Sequence, residues 1–267
     1  MPGLDDDIAL TEAGEYVWDG AIAPGWETPR GPLGGYVLAI LVRGLELAVD
    51  DPSRSARSVS AHFLRPPTDG PVRVSAGVER SGRSLTTVSG RLEQGGKLIA
   101  LALAAFSMPF EGPFLTDAPM PAVEPPADDA RDKSSGPITG APPFMGRLAM
   151  LPRFGDPPFS RSTSGVVGGW LGLRERRPLD AAAVALLADA WFPSPWPRLA
   201  ALAPAPTIDL TVHFRAPLPL PDSMLLGRFS NRVVRDGFFD EDGELWAPDG
   251  TLVAQSRQLG LLLGARI

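Results

Sequence analysis

The sequence predicts an α+β protein in which one unit occurs twice, each copy a curved antiparallel sheet wrapped around a central apolar helix. Three observations predict it. The first is an internal repeat. The two histidines, His62 and His213, stand in matching stretches, "SVSAHFLRPP" and "DLTVHFRAPL", at an offset of 213 − 62 = 151. "GGKLIALALAAFS" and "DGTLVAQSRQLGL" place Leu98 and Leu252 at 252 − 98 = 154, and "VERSGRS" and "VVRDGFF" place Gly82 and Gly237 at 237 − 82 = 155. Three matches in one order at nearly constant spacing mark a duplicated unit. The second observation is a pair of helices, "YVLAILV" and "AAAVALLA", that are apolar on every side and so leave no solvated face over their central turns. The third is the set of turn dipeptides, Asp-Gly at 236–237, 242–243 and 249–250 and Gly95-Gly96, which close hairpins and predict antiparallel meanders.

The elements follow the same order in both copies: strand, helix, four strands. Copy one reads "GEYVWDGAI", a helix from about Gly35 to Val49, then "RSVSAHFLRP", "GPVRVSAGVERSG", "RSLTTVSGRLEQGG" and "KLIALALAAFS". Copy two reads "GVVGGWLGLRE", a helix from Asp180 to Phe192, then "TIDLTVHFRAP", "SMLLGRFSNRVVRDG", "GFFDEDGELWAPDG" and "TLVAQSRQLGLLL". A sheet has to enclose each helix, because burying a large apolar side chain is worth roughly 1.5–3 kcal/mol before entropy is charged. That is the hot-dog arrangement, present here in tandem; two ordinary α+β sandwiches are the alternative. The copies span 1–110 and 150–267, and the stretch 111–149, rich in Pro, Asp, Ser and Gly, reads as a linker pinned to the surface.

Composition excludes several classes of function. With 267 residues, 44% of them hydrophobic, and no cysteine, the chain can bury a large core without disulfides or thiolate metal sites. Its charges, 25 basic against 31 acidic, sum to −6, and no basic run is present, so no nucleic-acid partner is expected. Neither a signal peptide nor an apolar span of about 18 residues is found, which implies no membrane partner and, by default, a cytoplasmic location. No Gly-x-Ser-x-Gly elbow, glycine-rich phosphate loop or zinc-ligand spacing occurs; no metal or cofactor is expected.

Polar residues accumulate in copy two. In "APTIDLTVHF", Thr207, Asp209, Thr211 and His213 alternate with apolar residues and are expected to share one strand face. Copy one has Ala56, Ser58, Ser60 and His62 there; likewise Ala100, Ala102 and Ala104 become Ala254, Ser256 and Gln258. Within "AAAVALLADAWF" a single residue, Asp189, is charged. A carboxylate in such surroundings costs several kcal/mol unless it is hydrogen-bonded or protonated. Thr207 and Gln258 are candidate partners. Alternatively Asp189 simply reaches solvent near the helix end, since Pro193 stops the helix.

At these residues the chain resembles the type II acyl-CoA thioesterases, the TesB-like double hot-dog hydrolases. Copy one is similar through "GGYVLA", "HFLRP" and the "V-x-R-x-G-R-S" pattern; copy two through a helix ending in Asp then an aromatic, a strand opening "TID", and "LVAxxxQ". The resemblance spans nearly the whole chain and implies an acyl-CoA substrate, hydrolysis without a covalent intermediate, and assembly of double hot-dogs into a homodimer or larger oligomer. It also implies that Asp189, Thr207 and Gln258 bind and activate the hydrolytic water, with Asp209 left in a structural or supporting role. Backbone N–H groups near Gly34 and Gly35 are expected to bind substrate by taking the oxyanion, and Arg65, Arg83 and Arg215 are available to the phosphates of coenzyme A. Two rival readings stay open: a hot-dog enoyl-CoA hydratase or dehydratase using Asp209 and His213 as an acid–base pair, and a non-catalytic acyl-CoA or lipid-binding module.

Overall fold

The computed structural model describes residues 2–127, 129–133 and 141–265. A short helix α1 (Leu4–Asp7) precedes the hairpin of β1 (Thr11–Gly14) and β2 (Val17–Ile22). A two-stranded clip, β3 (Glu27–Thr28) and β4 (Gly31–Pro32), leads into the long helix α2 (Gly34–Val49). The first half closes with β5 (Ser55–Phe63), β6 (Gly70–Ser81), β7 (Leu85–Gln94) and β8 (Lys97–Ser107). After one helical turn, α3 (Ala130–Lys133), the second half comprises β9 (Leu148–Phe154), β10 (Val166–Leu173), α4 (Ala181–Leu187), β11 (Thr207–Phe214), β12 (Leu225–Ser230), β13 (Val234–Arg235), β14 (Phe238–Trp246) and β15 (Leu252–Leu261). A 3-10 turn at Pro143–Arg147 and the start of β9 fall inside the stretch read as linker, so regular structure resumes earlier than expected.

The two halves build one antiparallel sheet whose strand order is a palindrome. Outward from the middle, β5-β8-β7-β6-β2 on one side mirrors β11-β15-β14-β12-β10 on the other, with β1 and β9 at the edges. The halves meet where β5 pairs with β11, and Ser60 lies opposite Thr211, its own counterpart at the 151-residue offset. A pseudo-twofold axis therefore passes through that junction, and a 2.8 Å hydrogen bond between the two hydroxyls ties it.

The helices fill the concave side, as their all-round apolarity requires. Tyr36 through Val42 are buried without a break on α2, and so is every residue of α4. They run antiparallel: Gly35 at the start of α2 reaches the end of α4, while Arg43 of α2 pairs at 3.3 Å with Asp180 before the first turn of α4. Asp180 caps α4 by accepting from the Ala183 N–H at 2.9 Å. The regular helix is shorter than the expected Asp180–Phe192. After Leu187 the turn tightens, with Asp189 N–H bonding Leu186 O at 3.1 Å and Ala190 N–H bonding Leu187 O at 3.3 Å. Pro193 and Pro195 bar any continuation. Asp189 thus sits in the turn that ends the helix rather than on the helix itself.

The segment after β8 lies along the outer face of the second half-sheet. Trp170 and Trp246 donate their indole N–H groups to Glu124 O (2.8 Å) and Ala118 O (3.1 Å), while Met120 and Val123 pack against the cluster those tryptophans form with Ala149, Met224 and Leu226. Among the described residues no helix is long and apolar enough to cross a membrane.

Candidate active site

Thr207 and Gln258 come together on the inner face of the second half-sheet, brought there by a β-bulge. In the β11–β15 ladder Thr207 pairs with Gly260, but the next partners are Asp209 with Leu259 and Leu210 with Gln258, so one extra residue is accommodated at Ile208. A bulge reverses the face presented by the residues on either side of it. Thr207 therefore shares the helix-facing side with Gln258, whereas Asp209, Thr211 and His213 project from the outer side. This corrects the expectation that all four share one face, which followed from strict alternation without a bulge. The Thr207 hydroxyl donates to Gln258 Oε1 at 2.8 Å.

Asp189 is held from a different direction. Its Oδ2 accepts the backbone N–H of Gly35 at 2.6 Å, at the positive end of α2. Glycine is needed here for close approach: a Cβ on Gly35 would lie 2.6 Å from Leu186 O and 2.9 Å from Asp189 Cβ, and one on Gly34 would lie 2.9 Å from Asp189 Oδ2. Burial pushes the Asp189 carboxyl up to about 7; the Gly35 N–H opposes that rise and the nearby Glu241 carboxylate adds to it. Among the described residues no hydrogen bond joins Asp189 directly to Thr207 or Gln258.

A second buried carboxyl, that of Glu241, a residue the sequence reading passed over, joins Gln258 on the same face. Its Oε1 accepts from Gln258 Nε2 at 2.6 Å and its Oε2 from the Ser194 N–H at 2.6 Å. The side chain is buried, and burial pushes its carboxyl up against the pull of those donors. It hid inside "DEDGELW" because Asp240, Asp242 and Glu244 belong to the outer row of β14, where Arg257 pairs with the two aspartates and Arg228 with the glutamate. The inner row is Phe239, Glu241, Gly243 and Leu245, all buried. A carboxylate in an otherwise apolar or small inner row was the available signal.

Copy one supplies an internal comparison. Val88 pairs with Ala104 as Glu241 pairs with Gln258, and Ala56 precedes the matching bulge in β5. Thr207, Glu241 and Gln258 therefore correspond to Ala56, Val88 and Ala104, all buried and apolar. The twofold-related cleft, 480 Å³ and lined by Arg43, Glu46, Ala56 and Asp180 among others, contains ion pairs from Arg43 to Glu46 and Asp180 in place of a hydroxyl–amide pair.

A 370 Å³ cleft opens at the second-half site, with Gly34, Phe63, Arg65 and Thr207 on its walls. It shares Thr28, Arg30, Ala205 and Pro206 with a 190 Å³ pocket lined by Phe144, Met150, Trp191 and Trp196. Of the three arginines singled out from sequence, Arg65 lines the cleft, together with Arg30, which was not singled out. Arg215 bonds Gln255 at 3.0 Å beside a different pocket, and Arg83 is exposed elsewhere. Because Gly35 N–H is occupied by Asp189, the unpaired donor at the start of α2 is Gly34 N–H, for which the described residues offer no acceptor. Asp209 and His213, the pair required by a hydratase, lie on the outer face opposite His62 and Ser58. Among the described residues no cluster of three or more His, Asp or Glu side chains could hold a metal ion.

Residues 22–107 match the model of the acyl-CoA thioesterase N-terminal domain, and residues 119–262 match that of the acyl-CoA thioesterase C-terminal domain. Among solved structures, the chain is similar to a conserved hot-dog-fold protein of unknown function from Alicyclobacillus acidocaldarius, with a TM-score of 0.85 at 27% identity over 97% of both chains. It also resembles the acyl-CoA thioesterase II TesB2 of Mycobacterium marinum, with a TM-score of 0.77 at 21% identity over 98% of this chain and 96% of that one. A third likeness is to a tesB protein of Mycobacterium avium subsp. paratuberculosis, with a TM-score of 0.79 at 17% identity over 97% and 98%. At those identities the two mycobacterial proteins speak for the tandem hot-dog fold alone. No curated protein sequence is detectably similar to the chain.

Proposed function

The chain belongs to the acyl-CoA thioesterase family, and on that premise we propose that it hydrolyses acyl-CoA thioesters to the free acid and coenzyme A by general-base activation of water at Asp189. The observation that carries this reading is the Asp189 carboxyl, held by the Gly35 N–H, raised to about 7, and next to Gly34, which lines a cleft together with Thr207. An aspartate near its ordinary value is a weak base; one near 7 combines a large deprotonated fraction with a useful driving force.

In this mechanism water, gripped by Asp189, Thr207 and Gln258, attacks the thioester carbonyl carbon. Asp189 takes one of its protons as the carbon–oxygen bond forms. Gly34 N–H, at the positive end of α2, takes the oxyanion in this reading. Collapse of the tetrahedral species breaks the carbon–sulfur bond, and the proton held by Asp189 passes to the departing thiolate. The apolar pocket lined by Trp191 and Trp196 suits an acyl chain, and Arg30 and Arg65 at the cleft suit the phosphates of coenzyme A. Release of free thiol from acyl-CoAs of graded chain length tests the reading; absence of release from every member of the series refutes it.

The pH profile carries a further expectation. Only deprotonated Asp189 can act as base, so kcat should rise with pH through about 7 and level off above it. An acidic limb near 4, the range of an ordinary carboxyl, would contradict the raised value at Asp189.

A further inference from the structure

We propose that Glu241 is a positioning residue for this hydrolysis: its buried carboxylate sets the direction of each hydrogen bond in the array, so that Thr207 meets the water as an acceptor and Gln258 meets it as a donor. The inference rests on the thioesterase reading of the site and adds a residue to it.

The donors and acceptors available to each group fix these directions. A carboxylate only accepts hydrogen bonds. With Glu241 ionised and its Oε1 at 2.6 Å, Gln258 presents its Nε2 there, since the flipped amide would set two acceptor oxygens against each other. That choice turns Oε1 toward Thr207. An amide oxygen cannot donate, so the single hydroxyl hydrogen of Thr207 is committed to Gln258 at 2.8 Å. Only lone pairs remain on Thr207, and one N–H remains on Gln258. A water between these groups and Asp189 then gives one hydrogen to the Asp189 carboxylate and the other to Thr207 Oγ1. It accepts the spare Gln258 N–H on one lone pair, and its other lone pair is free to attack a carbonyl carbon. The Ser194 N–H, bonded to Oε2 at 2.6 Å, holds the far side of Glu241 and keeps its orientation.

The fold does not need a carboxylate here. At the equivalent position copy one has Val88, fully buried, opposite Ala104. A buried charge is costly unless its hydrogen bonds are complete, and a stability role would be met by valine in both copies. The carboxylate occurs in the copy that also carries Thr207 and Gln258.

Glu241→Gln is the nearly isosteric test. The substituted side chain has one acceptor, which the Ser194 N–H takes, so its NH2 faces Gln258 and forces that amide to flip. Thr207 then receives an N–H and points its own hydrogen at the water. We expect kcat for an acyl-CoA to fall roughly 10- to 100-fold, as for misplacement of a reacting group, with KM changed less than about 2-fold. Because Glu241 acts through Gln258, the same substitution in a Gln258→Ala background should cost less than about 3-fold, the non-additivity of residues acting as a unit. Should E241Q lose its cooperative melt, Glu241→Met goes through the same cycle; loss of folding in both would make Glu241 structural and overturn the proposal. Turnover by the wild type is measured first. No thiol release there defeats the thioesterase reading and this inference with it. Wild-type turnover with E241Q at full kcat, or with equal losses in both backgrounds, overturns the role of Glu241 alone.

Discussion

Asp189→Asn is expected to lower kcat for acyl-CoA hydrolysis by roughly 10²- to 10⁴-fold, the range attributed to a general base, while leaving acyl-CoA binding measurable. Asparagine matches the shape, and its carbonyl oxygen can still accept the Gly35 N–H, so the loss falls on proton transfer. The same substitution should stabilise the protein at neutral pH. The folded-state carboxyl is raised from 3.8 to about 7, so between those values the folded protein binds more protons than the unfolded chain, and its stability declines as pH rises through that window. A shift of about three units corresponds to at most ~4 kcal/mol above pH 7. An amide does not titrate, so the substitution removes this slope. Thermal melts should therefore show the variant above the wild type by several degrees at pH 8, with the gap closing toward pH 4. A variant with undiminished kcat would remove Asp189 from the chemistry, and a gap that does not narrow on acidification would contradict the account of its burial.

Gly35→Val is the second large effect, and it should damage stability and turnover together. A Cβ at Gly35 meets Leu186 O at 2.6 Å, Asp189 Cβ at 2.9 Å and Leu186 Cα at 3.0 Å, contacts with backbone and side-chain stem that no rotamer change relieves. The start of α2 and the end of α4 have to move apart. Overpacking of this kind costs about 1–3 kcal/mol, and the displacement breaks the 2.6 Å bond that orients Asp189. Since a shift of about 1 Å at a reacting group can cost 10²-fold, kcat should fall by roughly that factor. Gly77→Ala is the control, because its Cβ would meet Ser89 Oγ at 3.5 Å, an ordinary contact. A Gly35→Val protein that melts and turns over like the control would show that the helix ends are not tightly opposed.

The duplication and the enclosed helices were legible because both are written in short-range pattern. His62 and His213, Leu98 and Leu252, and Gly82 and Gly237 keep their spacing, and the apolar runs of α2 and α4 admit no exposed side. Asp189 was conspicuous for the same reason, as a charge among apolar residues. Register was harder to read. Nothing in "APTIDLTVHF" marks Ile208 as the extra residue of a bulge, so alternation placed Thr207 with Asp209 and His213 when the ladder places it with Gln258. The end of α4 was overestimated because Asp189 through Phe192 continue the helical composition, although the last turn tightens after Leu187. Glu241 was masked by its acidic neighbours. Counting alternate residues along β14, or comparing the position with Val88, would have exposed it.

The central claim is that water, activated by Asp189, attacks the thioester directly. Single turnover in ¹⁸O-enriched water with enzyme in excess over acyl-CoA tests it most directly, by mass analysis of the released acid and of the peptide containing Asp189. Direct attack predicts one ¹⁸O in the acid from the first turnover and none in the peptide. Unlabelled acid with ¹⁸O appearing in the Asp189 carboxyl would mean that the aspartate had itself attacked the carbonyl, and would contradict the claim.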